Sequence, residues 1–194
     1  MKLQGMNLVM DKLSDLIRVY DNALDSRICA LLMQKFEELE TEQERVEQQK
    51  KPDFTQINLT QISNKTSELN YLHQLLIKST VEYKKIYYSQ YGEWKFPIKN
   101  GFEEFRIKRY LNDGNDVFER HVDVNDYASA RRYLSFLWYL NDVEDGGETV
   151  FDDLTIKPES GKLVIFPPMW MFAHSGERPV SNTKYIASTY LHYI

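Results

Sequence analysis

The segment 132–140, reading RYLSFLWYL, constrains the fold most. It is nearly all apolar, so as a strand it has no face to give to solvent. Such a strand belongs inside a sheet that is covered on both sides. Short strand patterns surround it in the second half of the chain, at 102–111, 117–124, 148–151, 162–166 and 184–193. Turn signals separate them: Asn112-Asp113-Gly114-Asn115, Glu144-Asp145-Gly146-Gly147, and the run from Pro158 to Gly161. Short strands at regular spacing with glycine turns imply a sandwich or a barrel.

The first hundred residues read differently. Asp25 and Ser26 supply helix-capping side chains, and Ile28, Leu31, Leu32, Phe36 and Leu39 follow at helical spacing. The Glu/Gln-rich stretch 37–51 predicts a solvated helix end or a loop before Pro52. Alternation over 54–62 predicts a strand. A second helix is expected from 63–67 to Tyr91, with Leu69, Leu72, Leu76, Tyr83 and Tyr87 as its apolar stripe. The expected architecture is α+β with a mainly β core, and helices packed on its outside. With 194 residues, the chain is expected to form one domain. Residues 1–100 would be a helical lead-in with supporting strands, and 101–194 the core.

Reactive side chains are scarce. There is one cysteine, Cys29, and four histidines, His73, His121, His174 and His192. One cysteine excludes an intrachain disulfide framework and any multi-cysteine metal cluster. A metal site must therefore combine histidines with carboxylates. A net charge of −5 gives no general nucleic-acid footprint, so no nucleic-acid partner is expected. The longest apolar stretch, 163–173, carries Pro167 and Pro168 and falls short of the ~20 residues of a membrane span. The N-terminal sequence lacks the apolar run of a signal peptide. A cytoplasmic protein without membrane attachment is the expectation.

His121-Val122-Asp123 falls in an expected strand. Side chains two apart on a strand face the same way, so His121 and Asp123 should point together. His174, at the end of a strand or in the following turn, can supply a third ligand. Two histidines and one carboxylate on one face make the facial triad of non-haem Fe(II), although other divalent metals also fit such a set. His73 reads as an ordinary helix residue and Cys29 as packing. Most of Met169, Trp170, Met171 and Phe172 reads as core or as a dry wall of the site, with one member free to reach the substrate.

The ordered landmarks Arg109-Tyr110, Gly114, Phe118, His121-Val122-Asp123, Tyr139-Leu140-Asn141, Gly146-Gly147-Glu148-Thr149, Pro158, Gly161, Phe166-Pro167, His174 and Lys184 resemble a known family. It is the 2-oxoglutarate and Fe(II)-dependent dioxygenases of the prolyl 4-hydroxylase group. The resemblance covers about 105–194 and implies a double-stranded β-helix, or jelly roll. It implies Fe(II) held by His121, Asp123 and His174. Lys184 would pair with the distal carboxylate of 2-oxoglutarate, and Tyr110 and Thr149 would place hydroxyls around that cosubstrate. O2 would be the oxidant and ascorbate a supporting reductant, with succinate and CO2 as coproducts. Arg132, His192, Tyr190 and Phe118 match positions near the substrate, which implies hydroxylation of a peptidyl proline. His192, eight residues after Lys184, is expected on the same strand face. Asn182 stands where the family has glycine, and is expected to keep a left-handed turn. The rival readings are the same chemistry on a free amino acid, small metabolite or nucleic-acid base; a non-catalytic jelly-roll binding module; and a structural protein.

Overall fold

A computed structural model describes residues 11–47 and 52–194; expectations for the first ten residues and for 48–51 lie outside them. The chain runs β1 (Arg18–Tyr20), α1 (Ser26–Glu38), β2 (Glu44–Glu47), β3 (Asp53–Asn58), α2 (Leu59–Ile62) and α3 (Ser67–Tyr91). It continues with β4 (Asn100–Phe102), β5 (Arg106–Tyr110), β6 (Phe118–His121), β7 (Arg132–Tyr139), β8 (Thr149–Val150), β9 (Thr155–Ile156), β10 (Leu163–Phe166), β11 (His174–Gly176) and β12 (Lys184–Tyr193).

All pairings are antiparallel. The larger sheet has the order β1-β10-β7-β12-β5-β3-β2, with β4 also paired to β12; the smaller has the order β6-β11-β8-β9. Alternation along the strands sorts two cores. Leu134, Phe136 and Trp138 of β7, Leu163 and Ile165 of β10, and Ala187 of β12 face one cluster. There they meet Cys29, Leu32 and Phe36 of α1 and Leu69, Leu72 and Leu76 of α3. The opposite side of the same strands contributes Tyr139, Val164, Phe166 and Ile186 to a second cluster. That cluster includes Phe151 and Ile156 of the smaller sheet, so it fills the space between the sheets. The jelly roll is thus a sandwich with helices on its outer face, and β7 is covered on both sides as its composition requires.

The helix starts follow their caps. Asp25 accepts from the Arg27 backbone N–H at 2.8 Å, and Thr66 accepts from that of Leu69 at 3.1 Å. His73, on α3, is buried and satisfied by the Thr60 hydroxyl at 3.1 Å.

Five expectations need correction. The stretch 37–51 contains a strand, β2, paired to β3 from Glu44–Gln56 to Glu47–Asp53. Its polar composition suits an edge strand, where charged side chains blunt further pairing. The strand expected at 54–62 ends at Asn58, and the chain turns directly into α2, with Asn58 accepting from the Gln61 backbone N–H. The strand expected at 102–111 is two strands; between them the Glu103 N–H bonds Tyr190 O and the Phe105 N–H bonds the Thr60 hydroxyl. The strand expected at 117–124 stops at His121, because the Val124 N–H leaves the ladder for Pro168 O. Asn182 keeps an ordinary backbone, since Asn22 is the only non-glycine with positive φ among the described residues. Its side chain instead donates to Asp142 O at 2.9 Å.

Leu32 is fully buried between α1 and the larger sheet. Leu32→Ala is expected to lower unfolding free energy by about 2–5 kcal/mol, measured by urea denaturation.

Candidate active site

The smaller sheet brings the two distant histidines together. β11 pairs with β6 so that His174 lies directly opposite His121, with ring centroids 4.4 Å apart. Beyond the end of β6 the chain curls, and Asp123 still returns its carboxylate to 3.3 Å from His121 Nε2. Donor atoms of His121, Asp123 and His174 all lie within 4.8 Å of one another, and the three could hold a metal.

Hydrogen bonding sets the ring tautomers. His121 Nδ1 meets Glu119 O at 2.8 Å and His174 Nδ1 meets Phe172 O at 3.0 Å. A carbonyl only accepts, so each Nδ1 carries a proton and each ring turns Nε2 into the cluster. His121 Nε2 is buried and lacks a hydrogen-bond partner. A lone pair facing a carboxylate oxygen at this range calls for a proton or a metal cation between them. Burial lowers the His174 pKa, which keeps that ring neutral. Burial pushes the Asp123 carboxyl up, but positive charge at the cluster and on Lys108 outweighs it and holds the carboxyl low. Two imidazoles that aim Nε2 at a carboxylate make a ligand set suited to a divalent ion. Phe118 stacks on His121 with centroids 3.5 Å apart and fixes that ring's plane.

The cluster opens into a pocket whose inner end holds Lys184, Tyr110 and Thr149. Lys184 is only 2% exposed. Its Nζ donates to Gly147 O at 2.8 Å and lies 4.8 Å from the Tyr110 ring centre. Gly147 has φ +76°, and an added Cβ would come 3.3 Å from the Lys184 side chain, so a glycine keeps this wall close. Burial pulls the Lys184 pKa down to about 8, with Glu148 and Glu177 opposing. The Thr149 hydroxyl accepts from Tyr139 Oη at 2.6 Å.

The other sequence-derived candidates divide. Phe118 and Tyr190 line the pocket and an open groove at its mouth; Arg132 lines that groove, its guanidinium 4.1 Å over the Tyr190 ring. His192 keeps the strand face of Lys184 but does not share its pocket: eight residues further along β12, about 26 Å, it lines a neighbouring cleft with Arg132 and Glu103. Trp170 is 75% exposed, so the 169–172 cluster is not all core; Phe172 is its buried member. Lys108 was missed. It lines the pocket beside Tyr110, and the period of two along β5 was the signal that could have found it.

The family model described as 2OG-Fe(II) oxygenase superfamily matches residues 105–192. Residues 105–192 form a 2OG-Fe(II) oxygenase domain. The enzyme is a dioxygenase, and its chemistry uses Fe(II), 2-oxoglutarate and O2. No curated protein sequence matches the chain. Solved structures share the oxygenase's fold. The viral collagen prolyl hydroxylase of Paramecium Bursaria Chlorella virus-1 is 18% identical, with TM-score 0.66 over 92% of this chain and 96% of that one. A Trichoplax adhaerens prolyl hydroxylase, solved with a peptide fragment of hypoxia inducible factor, is 15% identical, with TM-score 0.72 over 92% and 84%. A Pseudomonas putida prolyl-4-hydroxylase is 18% identical, with TM-score 0.59 over 92% and 93%. Among the described residues of the oxygenase, no helix is long and apolar enough to cross a membrane.

Lys184 carries a pH signature. Its folded pKa lies below its unfolded one, so the unfolded chain binds more protons between them. The burial penalty is present in full below about pH 8 and is relieved as pH rises toward 10.5. Ligand-free oxygenase should therefore gain stability relative to Lys184→Met between about pH 8 and pH 10, read as the Tm difference across pH.

Proposed function

We propose that the oxygenase hydroxylates a peptidyl proline. Fe(II) is held by His121, Asp123 and His174, and the distal carboxylate of 2-oxoglutarate pairs with Lys184, flanked by Tyr110 and Thr149. The observation that carries this reading is the open groove across the mouth of the triad pocket, bordered by Phe54, Phe118 and Tyr190. An open aromatic groove suits an extended peptide and a proline ring better than a free metabolite, which favours enclosure. The named activities of structures with the same fold support the choice of proline.

The iron and its cosubstrate supply the oxidising power, putting one oxygen atom of O2 into the substrate and the other into succinate, with loss of CO2. The protein's part is placement. Backbone carbonyls of Glu119 and Phe172 hold the two imidazoles in the metal-binding tautomer. Lys184 meets a buried carboxylate with a charge-assisted bond and fixes the cosubstrate's far end. Phe118 shields His121 from water. Phe118, Tyr190 and Arg132 border the peptide path, with His192 further along it. Residues 1–194 work as one domain, because β1, β2 and β3 extend the larger sheet from the first hundred residues.

Incubation with Fe(II), 2-oxoglutarate, ascorbate and proline-rich peptides should add the mass of one oxygen atom to a proline, read by mass spectrometry. His121→Ala should lose Fe(II) binding and turnover, whereas His73→Gln should keep both. Succinate release with every peptide left unoxidised would overturn the peptide assignment. The KM for 2-oxoglutarate should rise with pH above about 8, as Lys184 loses its charge, and this rise should be absent from the already weakened Lys184→Met.

A further inference from the structure

Lys108 is a cation that neither the metal ligands nor the cosubstrate anchor accounts for. On the β5–β12 ladder Tyr110 is opposite Lys184, and Lys108 is opposite Ile186. Lys108 is thus one step, about 7 Å along the strand, nearer the mouth than the Lys184 anchor. It lines both the inner pocket and the outer groove. The groove's other cations are paired: Arg106 with Glu104, and Arg132 with Glu103 at 2.9 Å and with Asp123 O at 2.9 Å. Lys108 has no such acceptor among the described residues; its Nζ rests 5.1 Å from the Phe54 ring centre. The acid whose charge acts on it is Asp123, and a bound metal would take that charge. The cosubstrate leaves no carboxylate for it either, since one end goes to Lys184 and the other to the metal.

We propose that Lys108 recognises a carboxylate of the substrate beside the reacting residue, so that the oxygenase selects an acidic substrate. This rests on the oxygenase reading of the pocket and adds a substrate class to it. A half-buried ammonium without an acceptor is costly, and a carboxylate arriving with the substrate satisfies it with a charge-assisted bond. Burial already draws the Lys108 pKa down to about 8, against the pull of Asp123. The carboxylate has two sources: the side chain of an Asp or Glu next to the target, or the α-carboxylate of a terminal or free proline.

Binding without turnover separates these. Under nitrogen, with Fe(II) and 2-oxoglutarate present, calorimetry compares doubly blocked peptides bearing Glu, Gln or Lys beside the proline. The unblocked C-terminal-proline form and free proline complete the series. The carboxylate-bearing ligand should bind about tenfold to a hundredfold tighter than its neutral partner. Lys108→Met should erase that gain, and Lys108→Glu should favour the Lys peptide, while affinity for 2-oxoglutarate stays unchanged. A gain confined to the unblocked forms assigns the α-carboxylate; a gain with Glu assigns the side chain. Equal binding of acidic and neutral ligands overturns the proposal, as does a preference that survives Lys108→Met, or weaker 2-oxoglutarate binding in that variant. A matching series with alanine in place of proline keeps the two readings distinct. A Lys108-dependent Glu preference there, with no proline ligand bound or oxidised, supports the anion site and sinks the prolyl assignment. No preference in either series sinks the anion site.

Discussion

The alternation of β12 is the constraint on which the rest of this molecule depends. The strand is paired on both edges, to β7 and to β5, so neither edge is free to shift. Its odd residues, Ala187 and Leu191 among them, lock into the helix-facing core. Its even residues, Lys184, Ile186, Ser188 and Tyr190, therefore have to face the pocket. A slip of one residue would put Lys184 among the helices and expose Ala187 to the site. Burial of the outer face thus specifies the register of the inner one. The stability of the sandwich and the placement of Lys184 share one cause.

The cluster of His121, Asp123 and His174 depends on a shorter ladder. β6 and β11 contribute only four and three residues. What holds the histidines is less the ladder than the local bonds around it: each Nδ1 on the carbonyl two residues back, Phe118 stacked on His121, and Phe151 and Phe166 packed about His174. These contacts orient both lone pairs before any ligand arrives. The larger sheet supplies rigidity and the smaller one the donors, and the apolar layer between them keeps the donors dry.

Charge is distributed to match. Two lysines, Lys108 and Lys184, stand on the pocket floor in a chain of net charge −5. Burial depresses both, so each is poised to gain from an arriving anion. Elsewhere some surface acids pair with nearby bases, as Glu38 and Glu68 do with Lys35.

Much of this was legible in the residue order. The apolar run at 132–140, the helical stripes of α1 and α3 and the glycine turns rest on local pattern, which survives into the fold; the meeting of Asp123 with His121 does not, since β6 ends at His121 and the chain curls before Asp123. The polar strand β2 was not legible, because an edge strand needs no apolar face and ERVE carries no strand signal. That His192 lies outside the pocket was not legible either, because the elements packed across β12 set how far along the strand the pocket reaches. The same holds for the approach of His174 to His121 and for the isolation of Lys108. The sequence by itself determined which side chains share a strand face and which residues are equipped for metal and carboxylate chemistry. Only the tertiary structure decided which faces meet, since ladder register and acceptor placement depend on residues far apart in the chain.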